Sequence, residues 1–99
     1  MGQFVRDEVL ATLRAHKETL AERFGVTGIA LFGSVARDQA KDGSDIDILV
    51  EFDSAPGWRN YFGAQFFLED VLGRPVDLMT LAEVRREVRP YVERDAINV

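Results

Sequence analysis

A chain of 99 residues with 46% apolar and 29% charged side chains has the size and composition of one small globular domain, and it is too apolar to remain disordered. We therefore expect a single domain over residues 1–99. The net charge of −5 disfavours a general nucleic-acid binder, which would need a basic surface to track phosphates.

Cysteine and histidine usage limits the metal chemistry. The chain has no cysteine and one histidine, which excludes thiolate and histidine-cluster centres, so any metal must be bound by oxygen. This favours magnesium, with manganese as the alternative. No segment is apolar over the roughly 20 residues that cross a bilayer, and the N-terminus lacks a signal-peptide pattern. We therefore expect a cytoplasmic protein with no membrane contact.

The apolar pattern predicts seven elements in the order helix, strand, strand, helix, strand, helix, helix. Apolar residues recur every three or four positions over residues 4–24, which is typical of an amphipathic helix, and two strands are expected at 27–32 and 46–52. Between the strands the sequence is polar, with one helical turn expected at 34–38 and a turn at Gly43-Ser44.

The second half of the chain contains clear start and stop signals. A loop over 53–59 precedes a helix over about 60–72, and Pro75 introduces a strand at 76–79. Thr80 and Glu83 match a capping box for a helix over about 81–88, and Pro90 suits the first turn of a last helix that ends near 96. These elements predict an α/β fold in which helices cover a small mixed sheet.

Two carboxylates at the start of the second strand are the most informative local feature. Residues two apart in a strand share a side, so Asp45 and Asp47 point together while the apolar residues between them point into the core. Close like charges are unfavourable unless a cation lies between them. Asp77 is a lone acid in the third strand, and if that strand lies beside the second, three carboxylates converge.

The complementary half of a site precedes these acids. Glycine at position 33 allows a phosphate to approach the backbone, and Ser34 offers a hydroxyl and an N–H. Opposite carboxylates that bind magnesium, this turn predicts a nucleoside triphosphate site. The planar fork of Arg37 suits a phosphate contact, although the same side chain is equally suited to an ion pair with Asp38, Asp42 or Glu51.

This arrangement resembles the minimal nucleotidyltransferases of the DNA polymerase β-like superfamily. Their signature is Gly-Ser, ten residues and Asp-x-Asp, which here is "GSVARDQAKDGSDID", and their third Asp maps onto Asp77 of "GRPVDLM". The resemblance covers residues 28 to 97 and implies the minimal polymerase β-like nucleotidyltransferase fold.

The resemblance also implies a function and a partner. AMP would pass from ATP, with two Mg²⁺ ions, to a hydroxyl; Asp45, Asp47 and Asp77 would be catalytic and bind the metal, while Gly33, Ser34 and Arg37 would bind the nucleotide. Free-standing domains this short are commonly antitoxins encoded beside a HEPN ribonuclease toxin, which implies a hetero-oligomer with a toxin tyrosine as acceptor. The alternative is a non-catalytic antitoxin that neutralises the HEPN partner by binding. Nucleotidylation of a small molecule is disfavoured by the short chain.

The segment "WRNYFGAQFFLEDVL" is apolar around more of its predicted helix than one core can cover. Its aromatic side chains are consistent either with a well-buried helix or with a surface that meets a partner.

Overall fold

The computed structural model describes residues 2–37 and 45–99, with side chains from residue 6 onward. The helices are α1 (Gly2–Phe24), α2 (Gly33–Ala36), α3 (Trp58–Leu72) and α4 (Arg89–Asp95), and the strands are β1 (Val26–Phe32), β2 (Ile46–Phe52), β3 (Val76–Thr80) and β4 (Ile97–Asn98). Two sequence predictions, the end of the helical turn at Asp38 and the turn at Gly43-Ser44, lie outside the described residues.

The sheet is mixed, as the sequence predicted. Its strand order is β3-β2-β1-β4; β1 is antiparallel to both β2 and β4, whereas β2 and β3 are parallel. The register between β1 and β2 shifts between Val26 and Gly28, and beyond this irregularity the pairing continues to Phe32, which lies opposite Asp47.

The two faces of this sheet differ in burial. One face carries apolar side chains that are shielded almost completely, and α1 and α3 cover it with buried residues that include Leu13, Leu20 and Leu68. The core on this side includes Leu13, Leu20, Leu31, Ile46, Ile48, Val50, Leu68, Val76 and Leu78. The opposite face carries Asp47, Leu49, Glu51 and Asp77, all at least partly exposed. The α/β layer arrangement therefore leaves a polar sheet face accessible. Across the described ranges, no helix is long and apolar enough to cross a membrane.

The helix expected over 81–88 is wrong. The capping box does form, with the Thr80 N–H donating to Oε1 of Glu83 at 3.2 Å, but it starts only a single 3-10 turn, Leu81–Glu83. Val84 then adopts an extended conformation and becomes buried. The guanidinium of Arg89 donates to the carbonyls of Leu81 and Val84 at 3.2 and 3.4 Å, so a side chain takes acceptors that a continuing helix would use.

Strand β4 was not predicted. It has two residues, which pair with Ala30 and Leu31 of β1. A segment this short has no periodicity to detect.

Helix α3 combines a packed side with an exposed aromatic side. Ala64 and Leu68 are fully buried, and Tyr61 and Phe67 pack against the core. Three aromatic side chains remain outside the core, with exposed fractions of 69% for Trp58, 46% for Phe62 and 64% for Phe66. One side of the helix is therefore buried, as the first interpretation expected, and the exposed aromatic side leaves the interpretation of a partner surface as a prediction.

The difference in burial between the two faces of the sheet can be tested directly on β2. We expect Ile48→Ala to reduce the free energy of unfolding by about 2–5 kcal/mol, because Ile48 is fully buried beneath the helices. Leu49→Ala on the opposite, partly exposed face should cost less. Chemical denaturation of both variants measures the difference, and equal losses would contradict this assignment of faces.

Candidate active site

The three predicted carboxylates lie at the start of two neighbouring strands. The parallel register of β2 and β3 pairs Asp47 with Asp77 directly, so both side chains lie on the open face of the sheet. Asp45 immediately precedes β2 and is exposed. Neighbouring strands are only about 4.8 Å apart. The sequence predicted that the three carboxylates converge if β3 lies beside β2, and the two strands are indeed neighbours.

Helix α3 fixes the position of the edge strand that carries Asp77. Tyr61, Gln65 and Glu69 follow one another at four-residue intervals and therefore share one side of the helix. The Tyr61 hydroxyl donates to the Leu78 carbonyl at 2.6 Å, and the Gln65 amide donates to the Val76 carbonyl at 3.1 Å. The Val76 N–H donates to Glu69 at 2.9 Å. These bonds satisfy the backbone on both sides of Asp77, and sequence reasoning missed all three side chains.

Tyr61 is a suitable donor in this network because it stays protonated. Burial and the negative charge of Glu83 raise the pKa of Tyr61 to about 12. Its hydroxyl also contacts the Glu83 carboxylate at 3.2 Å, which links the edge strand to the capping box. The only sequence signal for this role was the four-residue spacing.

Gly33 begins α2 immediately after β1 and lies against the Asp47 side chain. Its φ is +75°, a conformation that favours glycine. A Cβ added at this position would lie 2.8 Å from Cγ and 3.0 Å from Cβ of Asp47. The pairing of Phe32 with Asp47 explains this proximity, because Gly33 is the next residue after Phe32. Ser34 follows in the same turn and is half-buried.

Asp47 is the carboxylate whose pKa is shifted by its surroundings. The pKa of Asp47 is raised from 3.8 to about 6, first by burial, then by the charges of Asp77 and Asp45, and a hydrogen bond with Asp77 also favours the protonated form. The positive charge of Arg37 acts in the opposite direction. Asp47 is therefore the carboxylate on which the charges of the whole site act.

Arg37 lies at the C-terminal end of α2, where its backbone N–H donates to the Gly33 carbonyl at 3.1 Å. Its guanidinium forms an ion pair with Asp95, the last residue of α4, at 3.5 Å. The sequence had suggested Asp38, Asp42 or Glu51 as partners; the first two lie outside the described residues. No local signal connected Arg37 with Asp95, because 57 residues separate them in the chain.

A cleft of about 190 Å³ lies beside the Gly33 turn, between α2 and α4. Its walls come from Phe32, Gly33 and Arg37 on one side and from Val88, Tyr91, Val92 and Asp95 on the other. Val88 and Tyr91 are exposed apolar residues at this cleft. Sequence reasoning assigned neither of them to the site.

The donor chemistry of the site suits a hard divalent cation. Asp45, Asp47 and Asp77 offer only carboxylate oxygens, the ligands that Mg²⁺ and Mn²⁺ prefer. The raised pKa of Asp47 comes first from burial and then from the charges of Asp77 and Asp45, and a cation would compensate those negative charges. In the part of the chain for which positions are given, however, no three acidic or histidine side chains already stand in an arrangement that would hold a metal ion. The three aspartates therefore fit Mg²⁺ or Mn²⁺ by the chemical type of their ligand atoms.

Comparison with known proteins identifies the family. A model of the nucleotidyltransferase domain matches residues 13–98. The chain belongs to the nucleotidyltransferase domain family. It is 37% identical, over the whole length of both chains, to the protein adenylyltransferase MntA of Thermococcus cleftensis. A relative from Methanocaldococcus jannaschii is 40% identical over 93% of this chain and 95% of its own.

Solved structures give the same fold for this nucleotidyltransferase. A structure described as a minimal nucleotidyltransferase superposes with a TM-score of 0.74 at 34% identity, covering 91% of this chain and 95% of the other. A toxin-antitoxin structure with AMP-PNP superposes with a TM-score of 0.66 at 22% identity, covering 94% of this chain and 70% of the other. The minimal nucleotidyltransferase fold that the signature implied is therefore confirmed.

The Gly33 turn predicts a specific steric penalty. Gly33→Ala should lower the free energy of unfolding by at least about 1 kcal/mol more than Gly73→Ala, because both positions have positive φ but only the first has a side chain in the way. An added Cβ at Gly73 meets nothing within 4 Å. Chemical denaturation of the two variants measures this difference, and equal destabilisation would show that Asp47 does not crowd the turn.

The charge cluster predicts a pH dependence of stability in a metal chelator. The folded chain binds the Asp47 proton more tightly than the unfolded chain does, because the pKa of Asp47 is raised to about 6. This contribution to stability is fully present below about pH 4 and is lost as the pH rises through about 6. Since solvent screens the half-buried carboxylate, we expect a loss of about 1 kcal/mol between pH 4 and 7.5.

Asp47→Asn should remove this loss, whereas Asp70→Asn, at an exposed position on α3, should retain it. Urea unfolding at several pH values gives the slope for each variant. Identical slopes in the wild type and Asp47→Asn would contradict the raised pKa.

Proposed function

We propose that this chain is a protein adenylyltransferase of the antitoxin type, which transfers AMP from ATP to a tyrosine hydroxyl of a HEPN ribonuclease toxin. One observation carries the proposal above all others: Asp47 is paired with Asp77 while its side chain lies against the Gly33 turn. A carboxylate cluster is thereby joined to a phosphate-binding type of turn. The name of the Thermococcus relative, a protein adenylyltransferase, supports the same reaction.

In the proposed reaction the acceptor oxygen forms a bond to the α-phosphorus of ATP. The bond from that phosphorus to the β-phosphate bridging oxygen breaks, and pyrophosphate leaves. The Gly33 turn and Ser34 bind the outer phosphates through the backbone and a hydroxyl, and Arg37 adds its guanidinium. Asp77, exposed at the edge of the sheet, accepts the proton of the acceptor hydroxyl as a general base.

Asp45, Asp47 and Asp77 would hold the two Mg²⁺ ions. When bound, such ions neutralise charge on the phosphate oxygens and stabilise the entering and leaving oxygens. The residues themselves contribute a fixed geometry, since α3 and the parallel register determine where two of the three carboxylates lie. Binding of the ions would also compensate the negative charges through which the three carboxylates repel one another.

The proposed partner has support of two kinds. Among neighbours in fold, one structure is of a tri-AMPylated Shewanella oneidensis HEPN toxin in complex with an MNT antitoxin; it has a TM-score of 0.58 at 21% identity and covers 99% of this chain and 71% of the other. In addition, this chain exposes large aromatic side chains along α3, as surfaces that bind a protein often do.

The test is transfer of label from ATP labelled at the α-phosphate, in the presence of magnesium, to the product of the neighbouring gene, the expected source of the proposed HEPN partner. We expect label on a tyrosine of the partner, identified by mass spectrometry, and a loss of at least about 100-fold in Asp45→Asn, Asp47→Asn and Asp77→Asn. Asp70→Asn serves as a matched control, because it removes the same charge at an exposed position on α3.

Two results would contradict the proposal in different ways. Label on the partner at wild-type levels in Asp47→Asn would exclude these carboxylates as the catalytic group. Silencing of the partner ribonuclease without any label, and equally by the three variants, would instead favour the antitoxin that acts by binding.

A further inference from the structure

The contact between Arg37 and Asp95 joins the ends of two helices beside the candidate phosphate site. Nη1 of Arg37 lies 3.5 Å from Oδ2 of Asp95. The Asp95 side chain is only 27% exposed, compared with 46% for Arg37, so the acid is the more enclosed member of the pair. Its other oxygen lies 3.9 Å from Nε of Arg94.

Arg37 is adjacent to the groups that the proposed reaction uses. Its backbone is bonded to the Gly33 carbonyl, and its side chain lines the cleft that Gly33 also lines. An arginine at this place needs a defined orientation, because its long side chain can otherwise point into solvent.

We propose that Asp95 is a positioning residue that holds the Arg37 guanidinium beside the Gly33 turn for contact with the triphosphate. This inference rests on the function proposed above. It assigns a role to the end of α4, a helix outside the signature of the family. The role belongs to tertiary structure, because α4 must pack beside α2 for the contact to form.

The geometry favours positioning over competition with the phosphates. At 3.5 Å the contact with Asp95 is longer than the 2.7–2.9 Å of the strongest charge-assisted bonds, so a phosphate that approaches more closely can share the guanidinium with Asp95. The neighbouring Arg94 compensates part of the Asp95 charge, which limits its repulsion of an anionic ligand.

The experiment is isothermal titration of the full chain, in magnesium, with two probes: AMP-PNP and inorganic tripolyphosphate. We expect Asp95→Asn to weaken binding of both probes about threefold to fivefold and by the same factor, because the effect passes through the phosphates. Asp95→Glu should restore most of the affinity. Glu93→Gln, which removes the same charge at an exposed position on α4, should remain within about twofold of the wild type.

A double-variant cycle separates positioning from a purely structural role. If Asp95 acts through Arg37, then Arg37→Gln with Asp95→Asn should bind no more weakly than Arg37→Gln alone. In the transfer assay, Asp95→Asn should raise KM for ATP and leave kcat within about twofold. Thermal melts of each variant verify that the chain is folded.

Several results would overturn the inference. Asp95→Asn could bind both probes as tightly as the wild type or more tightly, which would mean that Asp95 is neutral or competes with phosphate. A loss for AMP-PNP alone would place Asp95 at the nucleoside, and a further loss on top of Arg37→Gln would give it an independent role. Failure of the wild type to bind either probe would refute the proposed function itself. That outcome differs from every result that would overturn only the role of Asp95.

Discussion

The parallel pairing of β2 with β3 is the constraint on which the site depends. On the core face, this pairing buries Ile46 and Ile48 beside Val76 and Leu78, and the free energy of that burial fixes the register. The alternation of side chains then leaves Asp47 opposite Asp77 on the other face. A slip of one residue would relieve the repulsion only by exposing the core residues and burying an aspartate. The hydrophobic core therefore maintains an electrostatic arrangement that the carboxylates alone would not adopt.

Sequence patterns could predict the contribution of β2 and the Gly33 turn to this arrangement, but only part of the contribution of β3 and α3. The period of two within β2 predicts that Asp47 faces away from the isoleucines, and the spacing of Gly33 from the acids indicates a phosphate site. The adjacency of β3 could only be stated as a condition, because strand order is a property of the whole fold. The roles of Tyr61, Gln65 and Glu69 depend on how α3 lies along β3, which no local pattern specifies.

The failures near the C-terminus have a common cause. The capping box at Thr80 and Glu83 is correct as local chemistry, yet burial of Val84 and the contacts of Arg89 end the helix after one turn. Likewise, β4 forms because its two residues pair with the free edge of β1, and Asp95 contacts Arg37 because α4 packs beside α2. In each case a tertiary partner decides the outcome, and local propensity is a weaker term.

The charges of the site bear on how an acidic protein would bind the nucleotide of the proposed reaction. With a net charge of −5, the chain has no general attraction for phosphates, and three carboxylates at the site add local repulsion. In the proposed reaction, a nucleotide accompanied by divalent cations would change this balance, because the cations would meet Asp45, Asp47 and Asp77 while the phosphates would meet the Gly33 turn and Arg37. Bound cations would relieve the repulsion that the core maintains, as protonation of Asp47 does below a pH of about 6. Selectivity for a metal-bound nucleotide over nucleic acid would then follow from the same carboxylate charges.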